Sequence, residues 1–316
     1  MDKKIWLSGI MGVVVGDALG VPVQFMDRTE VREKNITGMV GYMTFHLPEG
    51  SWSDDSSLTL ATLSSIKELG GIDGEDIMKR FVAWFDHGKY TPYGYPYDIG
   101  NTCKSAICMY KKGYDRFRCG CKDENSNGNG SLMRIMPVCL FVYERVKQGA
   151  ITEAEGLNLI QEISALTHAH LRSKMACGFY YFFVKAILDE KGSLKERLQK
   201  GVDEAVDFYY QKLENIFQVA YFERIFELEE FANTEEVEIN SSGYVIDSME
   251  AAVWSLITTE SYEEALLKVI NLGEDTDTIG AIAGGLAGLY YGYDNIPKEW
   301  KDCIVKRKWM EGLCEV

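Results

Sequence analysis

The sequence predicts an all-α protein. Three observations carry that expectation. Apolar residues recur at helical spacing through long segments, glycines and prolines punctuate those segments, and no run of alternating strands stands out. With 316 residues, 46% of them hydrophobic, the chain can build one large core. No internal repeat, low-complexity tract or long linker divides it, so one compact multi-helix domain over residues 1–316 is expected.

Residues 5–20 read as an apolar helix stopped by Pro22, because a proline disfavours helix at the residue before it. The next helix covers 55–69 and halts at Gly70-Gly71, with Asp73 placed to cap a third over 74–87. Residues 88–100 are rich in Tyr, Gly and Pro and read as a loop, followed by a helix over 101–112. A polar loop over 119–131 precedes an apolar helix over 132–148. Helical spacing returns over 152–167, 173–190, 194–214, 245–258, 261–271 and 278–292, and the acidic stretch 223–238 reads as a solvated face or loop.

Two glycine ladders recur every four residues: Gly12, Gly16 and Gly20, and Gly280, Gly284, Gly288 and Gly292. That spacing puts glycine on one helical face. Each interior glycine costs about 1 kcal/mol relative to alanine. Close backbone approach between two buried helices is the simplest compensating gain.

The formal net charge of −15 argues against an extended basic groove for nucleic acid. Eight cysteines are scattered without a CxxC pair, which fits a reducing cytoplasm. Cys119-Gly120-Cys121 is the only close pair and reads as two ordinary loop thiols. The N-terminus lacks a usual cleavage pattern, and no segment is expected to span a bilayer, the best candidate (279–293) being too short. A monomer is expected.

Two acidic motifs carry the chemistry. Ser53-Asp54-Asp55 and Asp275-Thr276-Asp277-Thr278 each end a loop and lead into a helix. Their carboxylates and hydroxyls, with no His or Cys, match the ligand chemistry of a hard cation such as Mg²⁺, Mn²⁺ or Ca²⁺. Asp275 and Asp277 would point about 200° apart on a regular helix, so they converge only where the backbone is irregular. The plainer alternative is capping, with Ser53 and Thr278 as ordinary N-caps. If the two motifs meet in the fold, the site is a binuclear metal centre.

Asn127-Gly128-Asn129-Gly130-Ser131 could bring backbone N–H groups to a ligand, and a helix starting near Leu132 could receive a phosphate; an exposed turn is the alternative. Asp98, in a loop with Tyr93, Tyr95 and Tyr97, could act as a base, orient a sugar, or cap the helix at Asn101. His168 could donate to a phosphate or ribose, or be a satisfied core group.

Taken together, these motifs resemble the ADP-ribosylglycohydrolases, relatives of the enzyme that reactivates dinitrogenase reductase. The resemblance rests on Gly16-Asp17-Ala18-Leu19-Gly20, Ser53-Asp54-Asp55, Asp98-Ile99-Gly100-Asn101-Thr102, Gly128-Asn129-Gly130-Ser131-Leu132-Met133-Arg134, Thr167-His168 and Gly273-Glu274-Asp275-Thr276-Asp277-Thr278, in that order. It runs from about residue 5 to 293. It implies an all-α fold with two Mg²⁺ or Mn²⁺ ions in a cleft, held by Ser53, Asp54, Asp55, Asp275, Asp277 and Thr278. It implies cleavage of the N- or O-glycosidic bond between ADP-ribose and an acceptor, often an arginine side chain of a modified protein, with serine, threonine, nucleobase and O-acyl linkages and small ADP-ribose conjugates also compatible. Asp98 would be catalytic with Asp55 and Asp277, while Gln24, Asn129, Gly130, Ser131 and His168 would contact substrate. One departure stands out. Relatives commonly carry Glu where this chain has Gln24, and a neutral amide cannot take up a proton at neutral pH. Either Asp98 carries the base role, or the chain binds ADP-ribose with altered or lost turnover. A structural role, as in lens crystallins that this fold also resembles, is disfavoured by the intact acidic set.

Overall fold

The computed structural model describes residues 3–315, the side chain of Glu214 excepted. Its helices are α1 (Lys3–Gly20), α2 (Arg28–Lys34), α3 (Asp54–Leu69), α4 (Gly74–His87), α5 (Asn101–Lys111), α6 (Met136–Lys147), α7 (Glu153–Ala165), α8 (Leu171–Asp189), α9 (Leu194–Tyr210), α10 (Ile216–Val219), α11 (Leu228–Phe231), α12 (Val245–Ile257), α13 (Tyr262–Ile270), α14 (Thr276–Tyr291), α15 (Lys298–Cys303) and α16 (Arg307–Leu313). Among the described residues there is no strand, only two isolated bridges, Cys121 with His168 and Gly128 with Tyr244. The expected all-α class is observed, with short helices added at α2, α15 and α16.

The centre of the fold is the seam between α1 and α14, and it is made of glycine. A methyl group on Gly16 would stand 2.0 Å from the Gly280 carbonyl oxygen, one on Gly12 2.2 Å from that of Gly284, and one on Gly288 2.3 Å from that of Ser8. Backbone therefore packs on backbone, closer than any side chain permits. The hydroxyl of Thr276 donates to the Gly20 carbonyl at 2.8 Å, closing the seam at the end where α14 begins. Gly292 is no part of it: with φ of 87° and open space around it, it ends α14.

Several expectations change here. By length and apolar composition alone, Lys3–Val23 could cross a membrane, contrary to the sequence reading. Yet 89% of that window is buried inside the protein, because α1 is the core helix around which the others pack. The stretch 223–238 is not simply a solvated loop. It is a string of short helical turns that bury Ile225, Leu228 and Phe231, while the preceding Phe222 stacks on Phe179 with ring centroids 4.5 Å apart. The turn 131–134 replaces the expected start of α6, which begins only at Met136 with Pro137 in its first turn. No helix N-terminus therefore faces out of the glycine-rich loop. All eight cysteines are unbridged.

Candidate active site

Three helix N-termini and the glycine-rich loop enclose a cleft of ≈ 350 Å³. That volume suits a small-molecule ligand. Asp54 opens α3, Asn101 opens α5, and Asp275 and Thr278 flank the start of α14; all line the cleft with Gln24, Asp98, Asn129, Gly130 and His168. A second hollow of ≈ 440 Å³, lined by Arg172 and Tyr244, shares Gly128 and Gly243 with it.

The two acidic motifs meet. The Thr278 hydroxyl lies 3.5 Å from Asp55 Oδ2, and the Ser53 hydroxyl donates to the same oxygen at 3.1 Å. Capping accounts for only one of these residues: Ser53 Oγ accepts from the Asp55 N–H at 3.3 Å. Thr278 lies inside α14, and Asp275 sits at its N-cap without capping it, accepting instead from Asn129 Nδ2 at 2.6 Å. Asp98 caps nothing either, since Gly100 precedes α5.

Burial and mutual repulsion hold this cluster out of the ordinary carboxylate range. Burial pushes the Asp54, Asp55 and Asp277 carboxyls well up, and neighbouring carboxylates push them further. Burial also raises Asp275, against a hydrogen bond from Asn129. Burial raises Asp98, while side-chain hydrogen bonds with Asp277 and Gln24 hold it down.

The donor set fits a hard divalent cation. Asp55 Oδ1 and Asp277 Oδ2 are buried with no hydrogen-bond partner, and so is Gln24 Oε1. Orphaned buried acceptors among like charges are stabilised by a cation. Even so, among the described residues no three His, Cys, Asp or Glu side chains form a ready-made cage. The hydroxyls of Ser53 and Thr278 would complete any such set.

Asp17 was not singled out as a site residue by the sequence reading, and it organises the first motif. It is fully buried in α1 and accepts from the Ser53 N–H at 3.0 Å, from the Ser56 N–H at 2.9 Å and from the Ser56 hydroxyl. Burial pushes its carboxyl up to about 6, against those hydrogen bonds. An acid in the last turn of an apolar, glycine-laddered helix was the available signal.

The glycine-rich loop is stitched down by backbone bonds from Asn129 N–H to the Gly243 carbonyl (3.1 Å) and from Val245 N–H to that of Asn127 (3.0 Å). Gly130 is a required gap: a methyl there would stand 2.9 Å from His168 Cε1 and 3.2 Å from Cys103 Sγ. His168 is buried, and burial followed by the charge of Arg134 drives its pKa down to about 3, so its ring is neutral. The Arg134 guanidinium donates to Thr167 Oγ1 at 2.8 Å, and the same hydroxyl is hydrogen-bonded with His168 Nδ1, also at 2.8 Å. Ser131 is not brought to the cleft. It is fully buried and receives the Ser164 hydroxyl at 2.9 Å, so its side chain serves the core.

Three non-glycine residues at the rim hold left-handed backbone: Phe25 (φ 67°), Asp98 (φ 52°) and Glu274 (φ 62°). Two of them are locked together, Phe25 N–H donating to the Glu274 carbonyl and Glu274 N–H to that of Met26, both at 2.7 Å. Such strain gathers where a site needs a fixed geometry.

Comparison with known proteins agrees with this architecture. The ADP-ribosylglycohydrolase family model matches residues 6–316. The chain is 31% identical to an ADP-ribosylarginine hydrolase, Tri1, of Serratia proteamaculans, over 98% of this chain and 77% of that protein. It is 28% identical to an ADP-ribosyl-[dinitrogen reductase] glycohydrolase of Rhodospirillum rubrum, over 93% and 88% of the two chains. A solved structure described as an ADP-ribosylglycohydrolase-related protein complex superposes with a TM-score of 0.78 at 28% identity, covering 99% of this chain and 96% of the other.

Proposed function

The chain belongs to the ADP-ribosylglycohydrolase family and is an enzyme that hydrolyses the glycosidic bond to ADP-ribose; from that premise we propose that it is metal-dependent and frees protein arginine side chains. The observation that carries the metal reading is the pair of orphaned buried oxygens, Asp55 Oδ1 and Asp277 Oδ2, beneath a cleft lined by further carboxylates. Ser53, Asp54, Asp55, Asp275, Asp277 and Thr278 would hold two Mg²⁺ or Mn²⁺ ions. Bound there, the cations would polarise ribose hydroxyls and stabilise charge developing in the transition state.

The protein's own groups have separate tasks in this proposal. Asn129 fixes the Asp275 carboxylate, and Asp17 fixes the Ser53 loop. Gly130 lets the sugar or phosphate approach the backbone, and the neutral His168 presents its ring to the same cleft. Asp98 takes the proton from the attacking water, because Gln24 has no basic site and Asp98 lines the same cleft. The Arg-linked acceptor is supported by the likeness to the Serratia ADP-ribosylarginine hydrolase. The unbridged thiols support a cytoplasmic setting, and we take the enzyme to be monomeric.

The test is release of ADP-ribose from an arginine-modified protein, with Mg²⁺ or Mn²⁺ and again with chelator. Asp55→Ala and Asp277→Ala should abolish turnover; full activity in chelator, or in either variant, rejects the metal reading. A second reading, a binder without turnover, is favoured by one feature, the neutral Gln24. Tight ADP-ribose binding with no release from any linkage would select it.

A further inference from the structure

Phe25 is the anomaly of the cleft. It is a bulky residue in left-handed backbone, where such residues are outliers, and it is 67% exposed while lining the cleft. Strain of this kind costs on the order of 1–3 kcal/mol, and the exposed ring recovers nothing through burial. It heads an aromatic series. The rings of Phe25 and Phe45 meet edge to face with centroids 6.1 Å apart, and Phe45 and Tyr97 follow at 5.3 Å. The Tyr97 hydroxyl ties the series to the Trp52 carbonyl at 2.6 Å, next to the Ser53 motif.

The charge around this face is one-sided. Asp54, Asp98 and Asp275 line the cleft with Phe25, and among the described residues that line it there is no Lys or Arg. Asp98 is a carboxylate of the cleft outside the proposed metal-ligand set, and an aromatic face beside it, with no Lys or Arg of the protein to occupy the ring, suits a planar delocalised cation brought by the ligand. We propose that Phe25 is a specificity-determining residue: its ring stacks on the guanidinium of the acceptor, so that arginine-linked ADP-ribose is preferred over hydroxyl-linked ADP-ribose. This rests on the hydrolase reading above and names the part of the site that reads the acceptor.

Two measurements separate the inference from its premise. In the first, Phe25→Ala and Phe25→Trp are compared with the parent for kcat/KM on arginine-linked and serine-linked ADP-ribose. Phe25→Ala should lose about threefold to thirtyfold on the arginine linkage, the range of a cation–aromatic contact, and less than about twofold on the serine linkage; Phe25→Trp should restore the preference. Equal losses on both substrates, or none, overturn the proposal while leaving the hydrolase reading intact. In the second, binding of agmatine, a free guanidinium, is followed by calorimetry in the parent and in Phe25→Ala, with ADP-ribose affinity and thermal unfolding as controls for folding. Agmatine binding that depends on Phe25, with no turnover of either substrate, keeps the aromatic site and rejects the proposed activity. Agmatine binding that is absent, or the same in both proteins, counts against the aromatic site.

Discussion

Gly16→Ala should be strongly destabilising although it is the mildest of substitutions. The added methyl would lie 2.0 Å from the Gly280 carbonyl oxygen and 2.5 Å from its carbon. Ordinary contact begins near 3.4 Å, so α1 and α14 must part by at least about 1.4 Å at that point. The obstacle is backbone, which has no rotamer to turn away. Alanine returns about 1 kcal/mol of helix propensity. Overpacking of a rigid core costs about 1–3 kcal/mol and sometimes more, and here the whole seam must open, so a net loss of about 3 kcal/mol is expected. Activity should fall further than stability, because a displacement of about 1 Å can cost on the order of 100-fold in rate, and the seam sets Asp17 against Asp277. Gly312→Ala is the internal control: the same change, in α16, with nothing within 4 Å of the new methyl. It should leave stability unchanged or raise it by up to about 1 kcal/mol. Urea unfolding of both variants, with kcat/KM on arginine-linked ADP-ribose, makes the comparison. A Gly16→Ala protein as stable as the parent would refute the argument that backbone contact sets the helix spacing.

Three other outcomes are expected. Burial pushes the Glu250 carboxyl up to about 7, opposed by Arg224, so the folded state holds its proton to higher pH than the unfolded chain does. Its contribution is therefore present below the unfolded pKa near 4.5 and is lost as pH rises through about 7, a fall of up to about 3 kcal/mol; Glu250→Gln should flatten the urea-unfolding profile between pH 5 and 8, and an unchanged slope would contradict this. Gly130→Ala should weaken ADP-ribose binding by about tenfold or more, since its methyl crowds His168 in the cleft wall; calorimetry checks this, with unfolding expected to change little. Gln24→Glu adds a carboxylate to the cluster and should lower stability in chelator by on the order of 3 kcal/mol, with most of the loss recovered in Mn²⁺; a loss that Mn²⁺ leaves unchanged would argue against a cation beside Gln24.

The long helices were legible because each buries an apolar face at 3.6-residue spacing, and α3, α4 and α14 also end at a glycine. The short α2, α15 and α16 were not, since a turn or two of polar residues carries no periodic signal. The two acidic motifs were legible as a donor set, but only tertiary packing could bring Asp55 and Thr278 to 3.5 Å. Sequence neighbours misled at Ser131: it shares a loop with Asn129 and Gly130, yet the turn over 131–134 points its hydroxyl into the core. The role of Asp17 is not legible in the sequence, because a buried acid inside an apolar run looks like an interruption until the N–H groups it accepts from are seen. Pro137 was the overlooked sign that α6 starts late.

The glycine seam also dictates an order of events during synthesis. Gly20 and Thr276, which meet across it, are separated by 256 residues of chain. At ribosomal rates of about 5–20 residues per second, α1 waits roughly 13–50 s for its partner to be made. Throughout that interval a helix apolar and long enough to enter a bilayer lacks the glycine face of α14 on which it packs most closely. A nascent or truncated chain that ends before residue 276 therefore presents the glycine face of α1 uncovered, and the carboxylate cluster, which joins the start of α3 to the start of α14, is assembled only after Thr278 has emerged.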